Sequence, residues 1–114
     1  MRVLSFAMKA ADEARLVDHC YEEYPDVCEE LGEPEVERLV RFAIAKAAEN
    51  GFDTYSEVMI FAELVVGYGE DFEETQPWAR LIWEANLPPD RKLASLAAAA
   101  SEEKIRSITE DPDA

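Results

Sequence analysis

Residues Asn50 to Trp83 read NGFDTYSEVMIFAELVVGYGEDFEETQPWARLIW. Asn50-Gly51 is a helix stop, because glycine takes the left-handed conformation that ends a helix without steric cost. Thr54 and Glu57 follow at capping-box spacing, so each can satisfy an orphan backbone N–H of a new helix. Phe52, just before the cap, can pack back on Val58 as a hydrophobic staple. Between Tyr55 and Tyr68 the apolar residues Val58, Met59, Ile60, Phe61, Leu64, Val65 and Val66 surround nearly the whole helix, and only Glu57 and Glu63 carry charge. A helix apolar on all sides belongs at the centre of a bundle. Gly67 and Gly69 end it. The connector Glu70-Asp71-Phe72-Glu73-Glu74 sets four acids around one phenylalanine; Phe72 is expected to tuck under while the acids face water. Thr75 then caps a short helix to about Asn86, with Pro77 in its first turn and Trp78, Leu81, Ile82 and Ala85 inward. Trp83 falls one position off that face.

Upstream, Ser5 to Tyr24 has Phe6, Ala10, Ala14, Val17, Tyr21 and Tyr24 at helical spacing, with Ser5 as N-cap and Pro25 as terminator. A short helical turn is expected next, capped by Asp26, with Val27, Cys28 and Leu31 inward and Gly32 closing it. Pro34 opens a third helix, whose core face is Val36, Leu39, Val40, Ala43, Ile44 and Ala47. Arg38, Arg41 and Lys46 fall on its outer positions. Downstream, Leu87-Pro88-Pro89-Asp90 is a turn. A last helix follows, with Leu93, Leu96, Ala97 and Ala100 inward, continuing through Ile105 and Ile108. No stretch alternates as a strand would. The expected fold is all-α: a compact bundle of about five or six short helices, one domain over residues 1–109 and a frayed acidic tail over 110–114.

The 114 residues carry 26 acidic and 11 basic side chains, a net charge of −15. That field repels phosphate backbones and anionic lipid, so neither nucleic acid nor membrane is an expected partner. The first residues lack an apolar run of signal-peptide length, and no stretch approaches the roughly 18 apolar residues of a membrane span, so the expected location is cytoplasmic. Cys20 and Cys28 are too few for a disulfide framework and are expected on buried helix faces.

No chemistry-bearing constellation stands out. His19 could pair with Glu22 or Glu23 one helical turn away, but no third or fourth ligand accompanies them, so no metal site is expected. His19 beside Cys20 is poor geometry for a base and its nucleophile, since adjacent helical residues point apart. The acidic connector lacks the spacing and central glycine of a calcium loop, and there is no phosphate-cradling glycine motif. The expectation is a non-enzymatic protein without cofactor. The stronger signal is an acid run: Asp12, Glu13, Asp18, Glu22, Glu23, Asp26, Glu29, Glu30, Glu33, Glu35 and Glu37 share their interval with Arg15 as the main counter-charge before Arg38. Gathered on one side, they make a docking face for a basic protein; spread over the surface, they serve as a diffuse solvated face that keeps the protein soluble.

The order of landmarks resembles a known family. Tyr24-Pro25 precedes Cys28 and Leu31-Gly32; Ile44-Ala45-Lys46-Ala47 precedes Asn50-Gly51-Phe52; then come Gly69-Glu70-Asp71-Phe72, Pro77-Trp78-Ala79-Arg80 and Pro89-Asp90-Arg91 with Leu93 and Leu96. This resembles small helical accessory proteins encoded beside the spike proteins and effectors of bacterial type VI secretion systems, over roughly Phe6 to Ala100. Where members of that family have an aspartate-rich connector, this chain has Glu73-Glu74-Thr75. The resemblance implies a cytoplasmic chaperone or co-adaptor that holds a secreted effector, toxin or spike component; the alternative is an immunity protein that blocks a toxin through an acidic face. The expected binding residues are Glu22, Glu23, Glu29 and Glu30 on that face, with Tyr68, Phe72 and Trp83 as apolar contacts.

Overall fold

The computed structural model describes the backbone of residues 10–109 and the side chains of residues 12–103. These residues form seven helices and no strand: α1 (Ala10–Glu23), α2 (Pro25–Leu31), α3 (Glu33–Glu49), α4 (Tyr55–Tyr68), α5 (Phe72–Thr75), α6 (Pro77–Glu84) and α7 (Pro89–Thr109). The all-α bundle expected from the sequence is present, with the single turn α5 as the added helix. Ser5, Phe6 and the acidic tail lie outside the described residues.

α4 occupies the position its composition dictates. It packs directly on α1, α2, α3, α5 and α7. Val58, Phe61, Ala62, Leu64, Val65 and Val66 are all buried. Its capping box forms as expected: the Glu57 N–H donates to Thr54 Oγ1 at 3.2 Å, and the Thr54 N–H donates to Glu57 Oε1 at 3.3 Å. The turn leading into it closes α3 by a Schellman motif. Phe52 N–H reaches the Ala47 carbonyl at 2.9 Å and Gly51 N–H the Ala48 carbonyl at 3.3 Å. Gly51 sits at φ +82°, and a Cβ there would come within 2.9 Å of the Pro89 ring, so α7 starts hard against the end of α3. α3 buries Val36, Leu39, Val40, Ala43 and Ala47 as its periodicity requires.

An aromatic chain runs through the core. Phe61 of α4 lies 5.4 Å from Phe52, 5.8 Å from Phe72 and 6.1 Å from Trp83, ring centre to ring centre. Phe72 then meets Trp78 at 6.2 Å, and Trp78 meets Tyr68 edge-on at 5.2 Å. Each such pair contributes about 0.5–1.5 kcal/mol beyond the area it buries.

Several local expectations are corrected. In α1 the buried positions are Leu16, Val17 and Cys20, and Ala14 is exposed. The helix touches α2, α3 and α4 together, so its buried face is wider than a single stripe. α2 begins at Pro25 with Tyr24 in the cap position; Asp26 lies inside the first turn. Leu31 is exposed at the end of that short helix. Gln76, not Thr75, holds the cap position of α6, and the helix ends at Glu84. Its inner face is Trp78, Ala79, Ile82 and Trp83, while Leu81 is 76% exposed. Two turns of helix cannot bury both the 78/81/82/85 set and the second indole. Turning Trp83 onto Phe61 and Phe72 buries more apolar surface than turning Leu81 inward.

Candidate protein-binding surface

The acids of residues 12–37 divide into two groups. Three are neutralised: Asp12 by Arg15 at 3.4 Å, Glu13 by Arg41 of α3 at 3.2 Å, and Glu35 by Arg38 at 2.6 Å. Arg38 also reaches Glu70 at 3.1 Å, and its hydrogen bonds hold the Glu35 carboxyl below the usual carboxylate range. Asp18, Glu22, Glu23, Asp26, Glu29, Glu30, Glu33 and Glu37 form no ion pair among the described residues.

Two tyrosines lie within the field of these acids. Tyr21 has its phenol pushed up by burial and then by the Cys28 thiol and the carboxylates of Glu33, Glu29 and Glu37. Burial first, then Tyr68, Glu63 and Glu23, push the Tyr24 phenol up to about 12. Glu63 is the one charged residue in the middle of the apolar helix α4, and it is the partner of His19: its Oε2 meets His19 Nε2 across the α1–α4 seam. The expected pairing of His19 with Glu22 or Glu23 is thus replaced by a contact between helices.

The thiols are inert by position. Burial, with smaller contributions from Cys28 and Glu63, pushes Cys20 up to about 12, and burial raises Cys28 as well. Both are held as neutral thiols at physiological pH, the poorly nucleophilic form. Among the described residues no three His, Cys, Asp or Glu side chains gather to hold a metal ion, and no helix is long and apolar enough to cross a membrane.

Two of the hollows in the described surface bear on the candidate site. The first, of about 210 Å³, lies between α1, α4 and α7, with Glu23, Tyr24, Glu63 and Tyr68 around an apolar floor of Ile60, Leu64, Ala97 and Ala100. It exists because Gly67 lets the Tyr24 ring lie on α4: a Cβ at that position would come 2.9 Å from Tyr24 Cζ. Tyr68 closes the other end by donating its hydroxyl to the Ala100 carbonyl at 3.4 Å.

The second hollow, of about 460 Å³, is more open and is lined by Glu73, Glu74, Arg80, Trp83 and Glu84. Glu73, expected to face water, is only 7% exposed. Lys46 of α3 bonds its Oε2, while Oε1 has no partner among the described residues. The same ammonium lies 5.3 Å from the Trp83 ring centre, and Lys92 of α7 lies 5.0 Å from it.

The residues expected to bind a partner therefore separate. Glu22, Glu23, Glu29 and Glu30 are exposed on α1 and α2. Tyr68 joins Glu23 at the first hollow, and Trp83 is half-buried at the second. Phe72 is completely buried between Phe61 and Trp78, so it is core and offers no surface to a partner. No matching family model, curated protein or solved structure is found for this chain. Glu63 is legible in the sequence as one of two charges on an otherwise apolar helix, but its partner His19 is 44 residues away in the chain. Nothing local marks Leu81 as the most exposed large apolar side chain among the described residues.

Proposed function

We propose that this chain is a non-enzymatic, protein-binding accessory factor of a bacterial type VI secretion system, acting in the cytoplasm as a chaperone or co-adaptor for an effector. The observation that carries the binding reading is that Asp18, Glu22, Glu23, Asp26, Glu29, Glu30, Glu33 and Glu37 form no ion pair among the described residues, with exposed Leu31 next to them in the chain. Unneutralised carboxylates around an apolar contact suit a basic protein surface: the charge steers encounter and the apolar group holds the complex. The secretion context comes from the order of sequence landmarks described above. The buried, protonated thiols support a role without nucleophilic chemistry.

The immunity reading is favoured by one feature, the net charge of −15, which would oppose a basic toxin such as a nuclease. One experiment separates the two. The purified chain is mixed with the effector encoded beside it, and both complex formation and effector activity are measured. A stable complex with an active effector is expected. Stoichiometric inhibition together with protection of cells would establish the immunity role instead.

A further inference from the structure

The groove between α1, α4 and α7 differs from the open acidic surface beside it. It has depth, an apolar floor and a charged rim. Its volume of about 210 Å³ is on the scale of one long side chain and too little for a helix. The floor of Ile60, Leu64, Ala97 and Ala100 is aliphatic, and the alanines of α7 create the space. Tyr24 and Tyr68 also line it. The carboxylates among its lining residues are those of Glu23 and Glu63, and burial and then Glu103 raise the Tyr68 phenol. No Lys, Arg or His stands among its described lining residues, and His19 engages one oxygen of Glu63.

We propose that this groove is the receptor for a single lysine side chain of the protein partner. The proposal rests on the protein-binding reading above and gives that partner its anchoring chemistry. A lysine has the required two parts: a four-carbon stem that lies along apolar surface and an ammonium that stays at the rim. The tyrosine rings add cation–π attraction. Arginine fits less well. Its planar fork favours both oxygens of one carboxylate, but Glu63 has one oxygen on His19 and Glu23 lies on a different helix. An ammonium with three rotatable donors can bridge two carboxylates placed apart in this way.

The test uses N-acetyl-lysine methylamide as probe, titrated into the isotope-labelled full chain and followed by amide NMR. Its arginine, Nε-acetyl-lysine and norleucine counterparts serve as comparisons. The lysine probe is expected to shift the amides of Glu63, Leu64, Ala97 and Ala100, with each counterpart binding about tenfold more weakly or not at all. Ala97→Leu fills the floor and abolishes the shifts. Glu23→Gln, an exposed and conservative change, weakens binding about threefold. Glu49→Gln, at the exposed end of α3, leaves it unchanged. Shifts that instead follow Glu29 and Glu30, equal binding of the arginine probe, or titrations of Ala97→Leu and Glu23→Gln that match the unmodified chain would each overturn the lysine pocket. None of these outcomes bears on whether the chain forms a complex with its effector, so failure of the pocket and failure of the protein-binding reading are separable.

Discussion

Replacing Lys46 by methionine isolates the energetics of the most buried ion pair among the described residues. Lys46 is 19% exposed and Glu73 is 7% exposed. Methionine keeps most of the aliphatic stem on Phe42 and Trp83 but removes the charge. The Glu73 carboxylate, whose Oε1 already lacks a partner, then loses its second contact as well. Breaking a buried pair from one side costs about 3–5 kcal/mol, and the partial exposure of Lys46 places the expected cost near the lower end, about 3 kcal/mol. Loss of the two cation–π contacts adds about 0.5–1 kcal/mol each at a half-exposed site. The total, about 4–5 kcal/mol, is a large fraction of a stability of about 5–15 kcal/mol, equivalent to a fall in Tm of about 15–20 °C for a domain of this size. The assay is urea denaturation followed by far-UV circular dichroism. The double variant Lys46→Met/Glu73→Leu removes both charges and is expected to return to within about 1 kcal/mol of the unmodified chain, because no ion is then left buried. A single-variant cost under about 1 kcal/mol, or strictly additive effects in the double variant, would refute the reasoning and place Glu73 in contact with solvent.

Gly67→Ala sets two effects against each other: a helix-propensity gain of about 1 kcal/mol and an overpacking cost of about 1–3 kcal/mol where the new Cβ meets the Tyr24 ring. The expected result in urea melts is net destabilisation of about 1 kcal/mol, changing sign to a gain when Tyr24 is also replaced by alanine. Alkaline stability depends on Cys20. Its folded-state value of about 12 lies above the ordinary 9.0, so its contribution is intact below about pH 9 and is lost as pH rises towards about 12, at about 1.4 kcal/mol per pH unit. Cys20→Ala should flatten that part of the stability–pH curve, and an unchanged slope would show that the thiol does not report burial.

The parts of the fold that were legible in the sequence are those set by residues close in the chain. The α4 capping box needs only Thr54 and Glu57, the end of α3 needs Gly51, and Pro77 at the start of α6 needs only its own missing N–H. What could not be read was decided by distant groups. Glu73 is drawn inside by Lys46, on a helix that precedes α4. His19 finds Glu63 on α4 and leaves Glu22 and Glu23 in water. The orientation of α6 follows from Phe61, Phe72 and two lysines meeting Trp83, none of which its own eight residues encode.

The central claim is that the acids without ion-pair partners dock a protein. Its most direct test is the affinity of this chain for the effector proposed as its partner, compared with the variant carrying lysine at Glu22, Glu23, Glu29 and Glu30, across a range of ionic strength. These residues are exposed and make no ion pair among the described residues, so the variant is expected to fold as the unmodified chain does. The predicted result is a complex that weakens at least about tenfold on charge reversal and loses most of its salt dependence. An affinity unchanged by the reversal, or no complex with the unmodified chain, would contradict it.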